Sequence, residues 1–219
     1  MRTSIGIVAC VLGVALSAQD AFSPARFRTG RLPDMPALAV GGGQVFVELG
    51  VNAGGRVTDV SPLRTTPPFT DLVVGAVREW RFVPAVDEIA STPAGSKVLV
   101  AAVFRAPALN APTLGEAPKD IASASAETAF PLATTVPAYS PLARGSGVVL
   151  LELRVDPDGT VSDVTVIRSA PPFDDAAKAA ARLWRFRPAR IKGTPVATLA
   201  YVVFGFPVPV GVEPPRAGR

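Results

Sequence analysis

The amino-acid sequence repeats itself at a spacing of 104 residues. When it is shifted by 104 positions, residues 45–85 fall on residues 149–189 without a gap, and 20 of the 41 pairs are identical. The same register continues upstream, where Gly43 meets Gly147. Self-similarity at a fixed spacing indicates one structural unit used twice, and two copies of this length do not make a solenoid. We therefore expect two small domains in tandem.

The extent of the repeat sets the expected domain boundaries. The sequence predicts a first domain at residues 30–106 and a second at residues 132–210. Residues 107–131 lie between them and are rich in Ala, Pro, Ser and Thr, a composition typical of a linker. Residues 211–219 remain as a short tail.

Each copy opens with alternating apolar residues, which predict a β-strand with one buried face. A turn that ends in Gly55 in the first copy and in Gly159 in the second closes a hairpin, because glycine tolerates the left-handed backbone. A second strand follows in each copy. Pro62 removes a hydrogen-bond donor from that strand in the first copy, so we expect it to be short, bulged or at an edge. The alternating positions are Val45, Val47, Leu49 and Val51, and Val149, Leu151, Leu153 and Val155.

An apolar stripe at helical spacing follows each hairpin and predicts a helix. Asp71 and Asp175 fall in the first turns, where negative charge suits the helix dipole, and Pro84 and Pro188 follow the helix ends. A final strand completes the order β-β-α-β. The predicted fold class is α+β, with two tandem domains that are each a three-stranded antiparallel sheet with a helix packed on one face. The stripes are Phe69, Val73, Ala76 and Trp80, and Phe173, Ala177, Ala180 and Trp184.

The N-terminus resembles an export signal. Residues 5–18 are an apolar run of 14 residues behind Arg2. Crossing a bilayer takes about 20 residues, so the run fits the apolar region of a signal peptide better than a simple membrane helix. We expect residues 1–18 to be a signal peptide cleaved after Ser17 or Ala18, with a short uncleaved signal anchor as the alternative. In either case Arg2 places the remaining chain outside the cytoplasm.

The composition speaks against an enzyme. The chain has no His, and its single Cys, Cys10, lies in the export segment, which removes the usual general base and metal ligand. The net charge of +4 comes without a dense Lys/Arg run, so we expect no nucleic-acid partner. Asp156, Asp158 and Asp163 hint at a calcium loop but lack its distal Glu, which favours a hairpin turn. We expect no catalytic residue, no cofactor and no metal.

Several ordered motifs resemble the TonB C-terminal domain family. The second copy carries an Asp-Pro-Asp-Gly turn, the run Trp-Arg-Phe-Arg-Pro-Ala at residues 184–189 and Gly-Thr-Pro-Val at residues 193–196. The first copy keeps Trp-Arg-Phe-Val-Pro-Ala at residues 80–85 but has lost Gly-x-Pro-Val. The resemblance implies a signature of structural residues in both copies: Gly55, Asp71, Trp80, Phe82, Pro84, Gly159, Asp175, Trp184, Phe186 and Pro188.

The family resemblance implies a periplasmic protein that binds other proteins. The best-known members are energy transducers that link an inner-membrane motor to outer-membrane receptors, and they capture a receptor segment as an added strand at a sheet edge. This sequence lacks the His of the family's membrane helix and its long Pro-rich spacer. We therefore expect an exported binding or scaffold protein. The alternatives are a transducer anchored in the inner membrane, and a purely structural protein whose edges pair with each other.

The last strand of the second copy is the surface on which we expect the partner segment. A free edge there would offer unpaired N–H and C=O groups to a partner strand. The opposite interpretation is a covered strand, or one paired with the other copy. The expected partner-binding residues are Ala197, Leu199, Tyr201, Val203, Phe204 and Phe206.

The aromatic residues at the helix ends allow two interpretations. Trp80, Phe82, Trp184 and Phe186 would form a recognition surface if they were exposed, or core anchors if they were buried. Their place on the apolar stripe favours core anchors.

Overall fold

The computed structural model describes residues 22–35, 41–107, 116–139 and 145–208. Within these ranges the fold is mixed α+β, with two α-helices and several mostly antiparallel sheets, and strands account for about half of the residues. No helix in these ranges is both long and apolar enough to span a bilayer. The predicted signal peptide and the predicted tail lie outside the described residues.

The elements follow the predicted order in each half of the chain, with short additional strands around them. In chain order they are β1 (Phe22–Ser23), β2 (Arg26–Thr29), β3 (Gly43–Val51), β4 (Val57–Thr65), α1 (Phe69–Arg78), β5 (Arg81–Val83), β6 (Ala85–Asp87), β7 (Thr92–Ala94), β8 (Ser96–Phe104), β9 (Lys119–Asp120), β10 (Phe130–Ala133), β11 (Gly147–Val155), β12 (Val161–Arg168), α2 (Asp174–Arg182), β13 (Arg185–Arg187), β14 (Ala189–Ile191), β15 (Thr194–Val196) and β16 (Thr198–Phe206).

One seven-stranded sheet runs through the described part of the molecule in the order β12-β11-β16-β8-β3-β4-β9. Neighbouring strands are antiparallel except at the centre, where β16 and β8 pair in parallel. We call β3, β4, β8 and α1 the first half, and β11, β12, β16 and α2 the second half. The prediction of two separate three-stranded sheets differs from the structure on this point, because the last strands of the halves join.

The composition of β8 and β16 explains this junction. Residues 98–104 and 199–206 are almost wholly apolar, without the alternation of a strand that has one wet face. Every residue of β16 is buried, and seven of the nine residues of β8 are buried. A strand that is apolar on both faces needs cover on both faces and on both edges, which a central position provides.

The register of the parallel pair places the helices of the two halves on opposite faces of the sheet. Phe104 stacks on Phe69 in the first half as Phe206 stacks on Phe173 in the second, so Leu99 corresponds to Tyr201. In the sheet, however, Leu99 lies opposite Ala200. A shift of one residue turns a strand over. As a result, helix α1 covers one face of the sheet and helix α2 covers the other.

Two cores follow from this arrangement, one on each face. The α1 core holds Phe69, Val73 and Val77 of the helix, and the α2 core holds Ala177 and Ala180 of the other helix. The stripe predicted in the first half differs from the structure at one position: Phe69, Val73 and Trp80 are buried as expected, but Val77 is buried in place of Ala76, which is half-buried. The stripe predicted in the second half is buried throughout.

A segment ahead of each half extends across the face of the other half. The segment at residues 22–29 pairs through β2 with β5 and also contacts β16, where the Phe27 N–H donates to the Tyr201 hydroxyl over 2.7 Å. The segment at residues 119–133 pairs through β9 with β4 and through β10 with β13. The described part of the predicted linker is thus folded against both halves, on β4 through β9 and on β13 through the beginning of β10.

Candidate partner-binding surface

The predicted partner-binding strand, β16, lies at the centre of the sheet. It pairs with β11 on one side over residues 198–206 and with β8 on the other over residues 200–205. This corrects the expectation of a free edge there, because β8 occupies the edge. Leu199, Tyr201 and Val203 face the α1 core, and Phe204 and Phe206 face the α2 core. Ala197 precedes β16 and is half-buried. Contact of these six residues with a partner stays a prediction. Addition of a partner strand to β16 would require β8 to separate from it.

The two tryptophans are buried anchors. Trp80 and Trp184 are 0 % exposed. The Trp80 indole N–H donates to the Arg31 carbonyl over 2.8 Å, and the Trp184 indole N–H donates to the Thr135 carbonyl over 3.0 Å. Each ring therefore fixes the segment ahead of its own half, and neither ring is presented to a partner.

The hairpin glycines are held against the strands that follow the tryptophans. Gly55 has φ +73° and its carbonyl accepts the Phe82 N–H over 2.8 Å. Gly159 has φ +83° and accepts the Phe186 N–H over 2.9 Å. A Cβ atom at either glycine would collide with the carbonyl oxygen of the facing Phe. The sharp turn thus sets the place of the Trp-Arg-Phe strand, and Pro84 and Pro188 directly follow that strand.

The charged residues at the helix ends have local roles. Asp71 and Asp175 stand in the first helical turns and are exposed. Asp174 is the first residue of the second helix, and its carboxylate ties the preceding loop to the helix by accepting the Ser169 hydroxyl over 2.6 Å and the Ala170 N–H over 2.9 Å. Arg185 donates to the Trp184 carbonyl over 2.9 Å, two residues beyond the end of the helix at Arg182.

The aspartates of the second hairpin shape a turn. The Asp158 carboxylate accepts the N–H of Thr160 over 2.8 Å and its hydroxyl over 2.7 Å, and these bonds lower the pKa of Asp158. Asp156 accepts the Ser162 hydroxyl over 2.8 Å. Among the described residues no three His, Cys, Asp or Glu side chains come together as a metal site would require.

Two glutamates at corresponding positions of the halves hold the crossing segments. Glu48 accepts the Ser125 N–H, the Ser125 hydroxyl and the Thr128 hydroxyl over 2.6–2.9 Å. Burial opposes the charge of Glu48, but the bonds from Thr128 and Ser125 outweigh it and lower its pKa. Glu152 accepts the Tyr201 hydroxyl over 2.9 Å and lies 3.7 Å from the Arg26 guanidinium. From the sequence alone, neither glutamate was assigned a role. The presence of Glu at the same position in both copies of the repeat was a signal that could have identified them.

The two outer edges of the sheet differ. On the β4 edge, Arg64 forms a bidentate pair with Asp120 of β9, with nitrogen–oxygen distances of 2.6 and 3.0 Å. The Leu63 carbonyl there accepts the Ile121 N–H over 2.8 Å. On the opposite edge, no strand within the described ranges pairs with the outer side of β12. The candidate surface for strand addition is therefore β12.

Residues 136–207 match the family model of the Gram-negative bacterial TonB protein C-terminal. The matched segment contains β11, β12, α2 and β13 to β16, together with the Gly159 turn and the Trp184 anchor. The second half is thus similar to a TonB C-terminal domain, as its motifs predicted. No curated protein that was compared matches the chain.

The TonB match is consistent with a TonB-like protein involved in envelope transport. Proteins of the TonB family are associated with the periplasm and the envelope, and their C-terminal domains are non-enzymatic and interact with outer-membrane receptors. The matched segment includes β12, the strand whose outer side pairs with no other strand within the described ranges.

Proposed function

We propose that this chain is an exported TonB-like binding or scaffold protein that captures an extended segment of a partner protein by strand addition. The observation that carries the proposal is the TonB match at residues 136–207 over a half whose outer strand, β12, pairs with β11 on one side and with no strand of the described residues on the other. Unpaired N–H and C=O groups on such an edge favour addition of a further strand. The receiving edge in this proposal is β12, because β8 occupies the edge of β16.

The side chains of β12 are compatible with a partner. Ser162, Asp163 and Thr165 are exposed, so a docked strand meets polar groups as well as backbone. Val164 is buried and fixes the strand to the α2 core. A rigidly held strand loses little conformational freedom on binding, which favours capture of a flexible segment.

The family match suggests an outer-membrane receptor as the source of the segment and the periplasm as the location. The predicted signal peptide at residues 1–18 agrees with this location. If residues 5–18 are retained, the chain is instead held at the inner membrane on its periplasmic side. That arrangement would fit an anchored TonB-type energy transducer.

A purely structural role is the second candidate, and the β8–β16 pairing favours it. That pairing uses the two edges at which the halves would otherwise be open. In such a protein β12 would remain without a partner, and the sheet would serve only as a rigid spacer.

Site-specific photo-crosslinking in the native envelope tests the proposal. We would place a photoreactive amino acid at Thr165 on β12 and, as a matched control, at Arg182, which is exposed on α2. A discrete protein adduct from position 165 that is absent from position 182 is the expected result. Equal adducts at both positions, or none at either, would overturn strand capture and leave the structural role.

Fractionation and intact-mass measurement of the same samples separate the two locations. A soluble species that begins at Ala18 or Gln19 agrees with an exported binding protein. A full-length species in the inner-membrane fraction would replace that location with the anchored transducer.

A further inference from the structure

The closed edge of the first half shows what a bound segment looks like in this fold. Residues 119–122 lie along the end of β4, with Lys119 opposite Thr65 and Asp120 opposite Arg64. The Arg64 guanidinium holds the Asp120 carboxylate in two hydrogen bonds and lowers the pKa of Asp120. Bidentate pairing of this kind fixes both the position and the direction of the segment.

The Leu63 carbonyl completes the contact on the first half. It accepts the N–H of Ile121 over 2.8 Å, and the N–H of Ala122 lies 3.4 Å away. The Ile121 side chain itself is 53 % exposed, so it adds little to the contact. The segment is therefore held through one acidic side chain, through the backbone N–H that follows it, and through the Lys119 carbonyl, which accepts the Thr65 hydroxyl over 3.4 Å.

The second half carries the same arginine at the corresponding place without such a segment. Arg168 corresponds to Arg64 under the 104-residue repeat, and both lie at the same cross-strand position, Arg168 opposite Leu150 and Arg64 opposite Phe46. Arg64 is half-buried, whereas Arg168 is exposed. Within the described ranges, no carboxylate lies within salt-bridge distance of Arg168.

A groove occupies the space beside Arg168. It has a volume of about 660 Å³ and is bordered by residues 30–35, 146–148 and 168–169. This lies within the range of roughly 300–1,000 Å³ that is typical of ligand sites. Its apolar walls are formed by Leu32, Met35 and Val148. These three side chains are partly buried and also pack against the α1 core. Asp34, an acidic residue that also borders the groove, is paired with Arg31 at 3.8 Å.

We propose that the groove at Arg168 binds an extended acidic segment of a partner protein, in the way that residues 119–122 bind at Arg64. An Asp or Glu of the partner accepts two hydrogen bonds from the Arg168 guanidinium. The next residue of the partner donates its backbone N–H to the Ile167 carbonyl, which corresponds to that of Leu63, so this residue is not proline. The inference rests on the proposed function, because it names the kind of segment that β12 captures.

The surroundings of the two arginines suggest why the second site is the open one. Arg64 lies 4.5 Å above the Phe46 ring and donates to the Gln44 side chain over 2.9 Å, so its position is fixed before any carboxylate arrives. Leu150 and Val148 stand at the corresponding positions beside Arg168 and offer it neither a π face nor an acceptor. The guanidinium of Arg168 therefore keeps its donors for a ligand.

Titration with a peptide of this chain's own sequence tests the inference. The probe is a fluorescently labelled octapeptide with the sequence of residues 116–123, added to the purified chain without residues 1–18, the predicted signal peptide. Removing a hydrogen-bonding charge weakens binding by about tenfold or more. We expect that loss from Arg168→Ala in the protein and from Asp120→Asn in the peptide, whereas Arg182→Ala, a matched loss of one exposed charge, leaves binding unchanged.

Two further variants separate binding at Arg168 from simple charge attraction and from displacement of residues 119–122. A peptide with proline in place of Ile121 keeps its charge but loses the N–H, and it should bind as weakly as the Asn peptide. The Arg64→Ala protein should bind the probe at least as well as the wild type, because the probe does not need the place that residues 119–122 occupy.

Several results would overturn the proposal. These are equal binding to the wild type and Arg168→Ala, loss of binding only in Arg64→Ala, and the absence of binding in the wild type. If position 165 still forms its envelope adduct in the Arg168→Ala protein, partner capture by β12 stands and the acidic-segment inference fails. If no adduct forms in either protein, the proposed function fails as well.

Discussion

The Tyr201 hydroxyl donates a 2.9 Å hydrogen bond to the carboxylate of Glu152 and, at the same oxygen, accepts the N–H of Phe27. Tyr201 belongs to the central strand β16, Glu152 to β11 beside it, and Phe27 to the segment ahead of the first half. A single phenol therefore ties the beginning of the described chain to its last strand. Burial and the charge of Glu152 raise the pKa of Tyr201 far above its usual range, so this hydroxyl keeps its proton.

Replacing Tyr201 by Phe should destabilise the protein by about 1–3 kcal/mol, because the Phe27 N–H and the Glu152 carboxylate, both partly buried, each lose a partner. Urea denaturation followed by circular dichroism measures the change. Tyr139→Phe is the matched control, since its hydroxyl donates to the Gly145 carbonyl in a half-buried position. An equal loss from both variants would contradict a special role for Tyr201.

Acid should weaken the contact between Glu48 and residues 125–128. The folded pKa of Glu48 is lowered, so its stabilisation is complete above the unfolded value of about 4.3 and is lost as the pH falls through the folded pKa. The difference in unfolding free energy between wild type and Glu48→Gln should therefore be largest near neutral pH and shrink below about pH 4. Urea midpoints measured from acid to neutral pH give this difference. A difference that does not change with pH would contradict the assignment.

The hairpin glycine of the second half should tolerate no side chain. Gly159→Ala places an L-residue at φ +83° and drives its Cβ into the Phe186 carbonyl. Gly193 provides a control, because it has φ +85° with open space around its Cβ position. A left-handed backbone costs an L-residue roughly 1–2 kcal/mol, which is the expected loss for Gly193→Ala. Gly159→Ala should lose clearly more in urea denaturation, and equal losses would contradict the collision.

The two halves should unfold together, since they share one sheet. The chain has two tryptophans, Trp80 and Trp184, one in each half. The variants Trp80→Phe and Trp184→Phe each leave one reporter. Fluorescence in each variant should follow the same urea transition as the circular dichroism signal of that variant, which is the test of a cooperative unit. Two separated transitions in either variant would indicate halves that fold independently.

The sequence was a good guide to local structure. Period-2 alternation in residues 45–51 and 149–155 predicted strands, and the apolar stripe of the second half predicted the buried face of α2. The turn glycines and the Trp-Arg-Phe motifs were also informative, because each is determined by contacts within one half. The TonB resemblance of the second half was correct for the same reason.

Contacts between the halves were beyond sequence reasoning. Glu48 and Glu152 occupy the polar positions of alternating strands, where a charge normally meets solvent, and only the crossing segments bury them. The parallel pairing of β8 with β16 depends on two distant strands. The continuous apolar runs of these strands fit burial on both faces, yet a single run does not say which strand will be its neighbour. Arg168 is distinguished only by comparison with Arg64, whose guanidinium holds the Asp120 carboxylate.

The reversed faces of the two halves have a consequence for symmetry. The strands β8 and β16 are parallel, and the helices of their halves lie on opposite faces of the sheet. Two halves arranged in this way are related by a rotation of half a turn about an axis that runs between the two strands and parallel to them. A chain with only one such half would have the geometry to form a two-fold dimer through the same strand, and such an interface must treat both subunits alike. Joining the two halves in a single polypeptide removes that constraint. One end of the sheet can then keep its own covering segment while the other end changes independently, as the proposed binding at β12 requires.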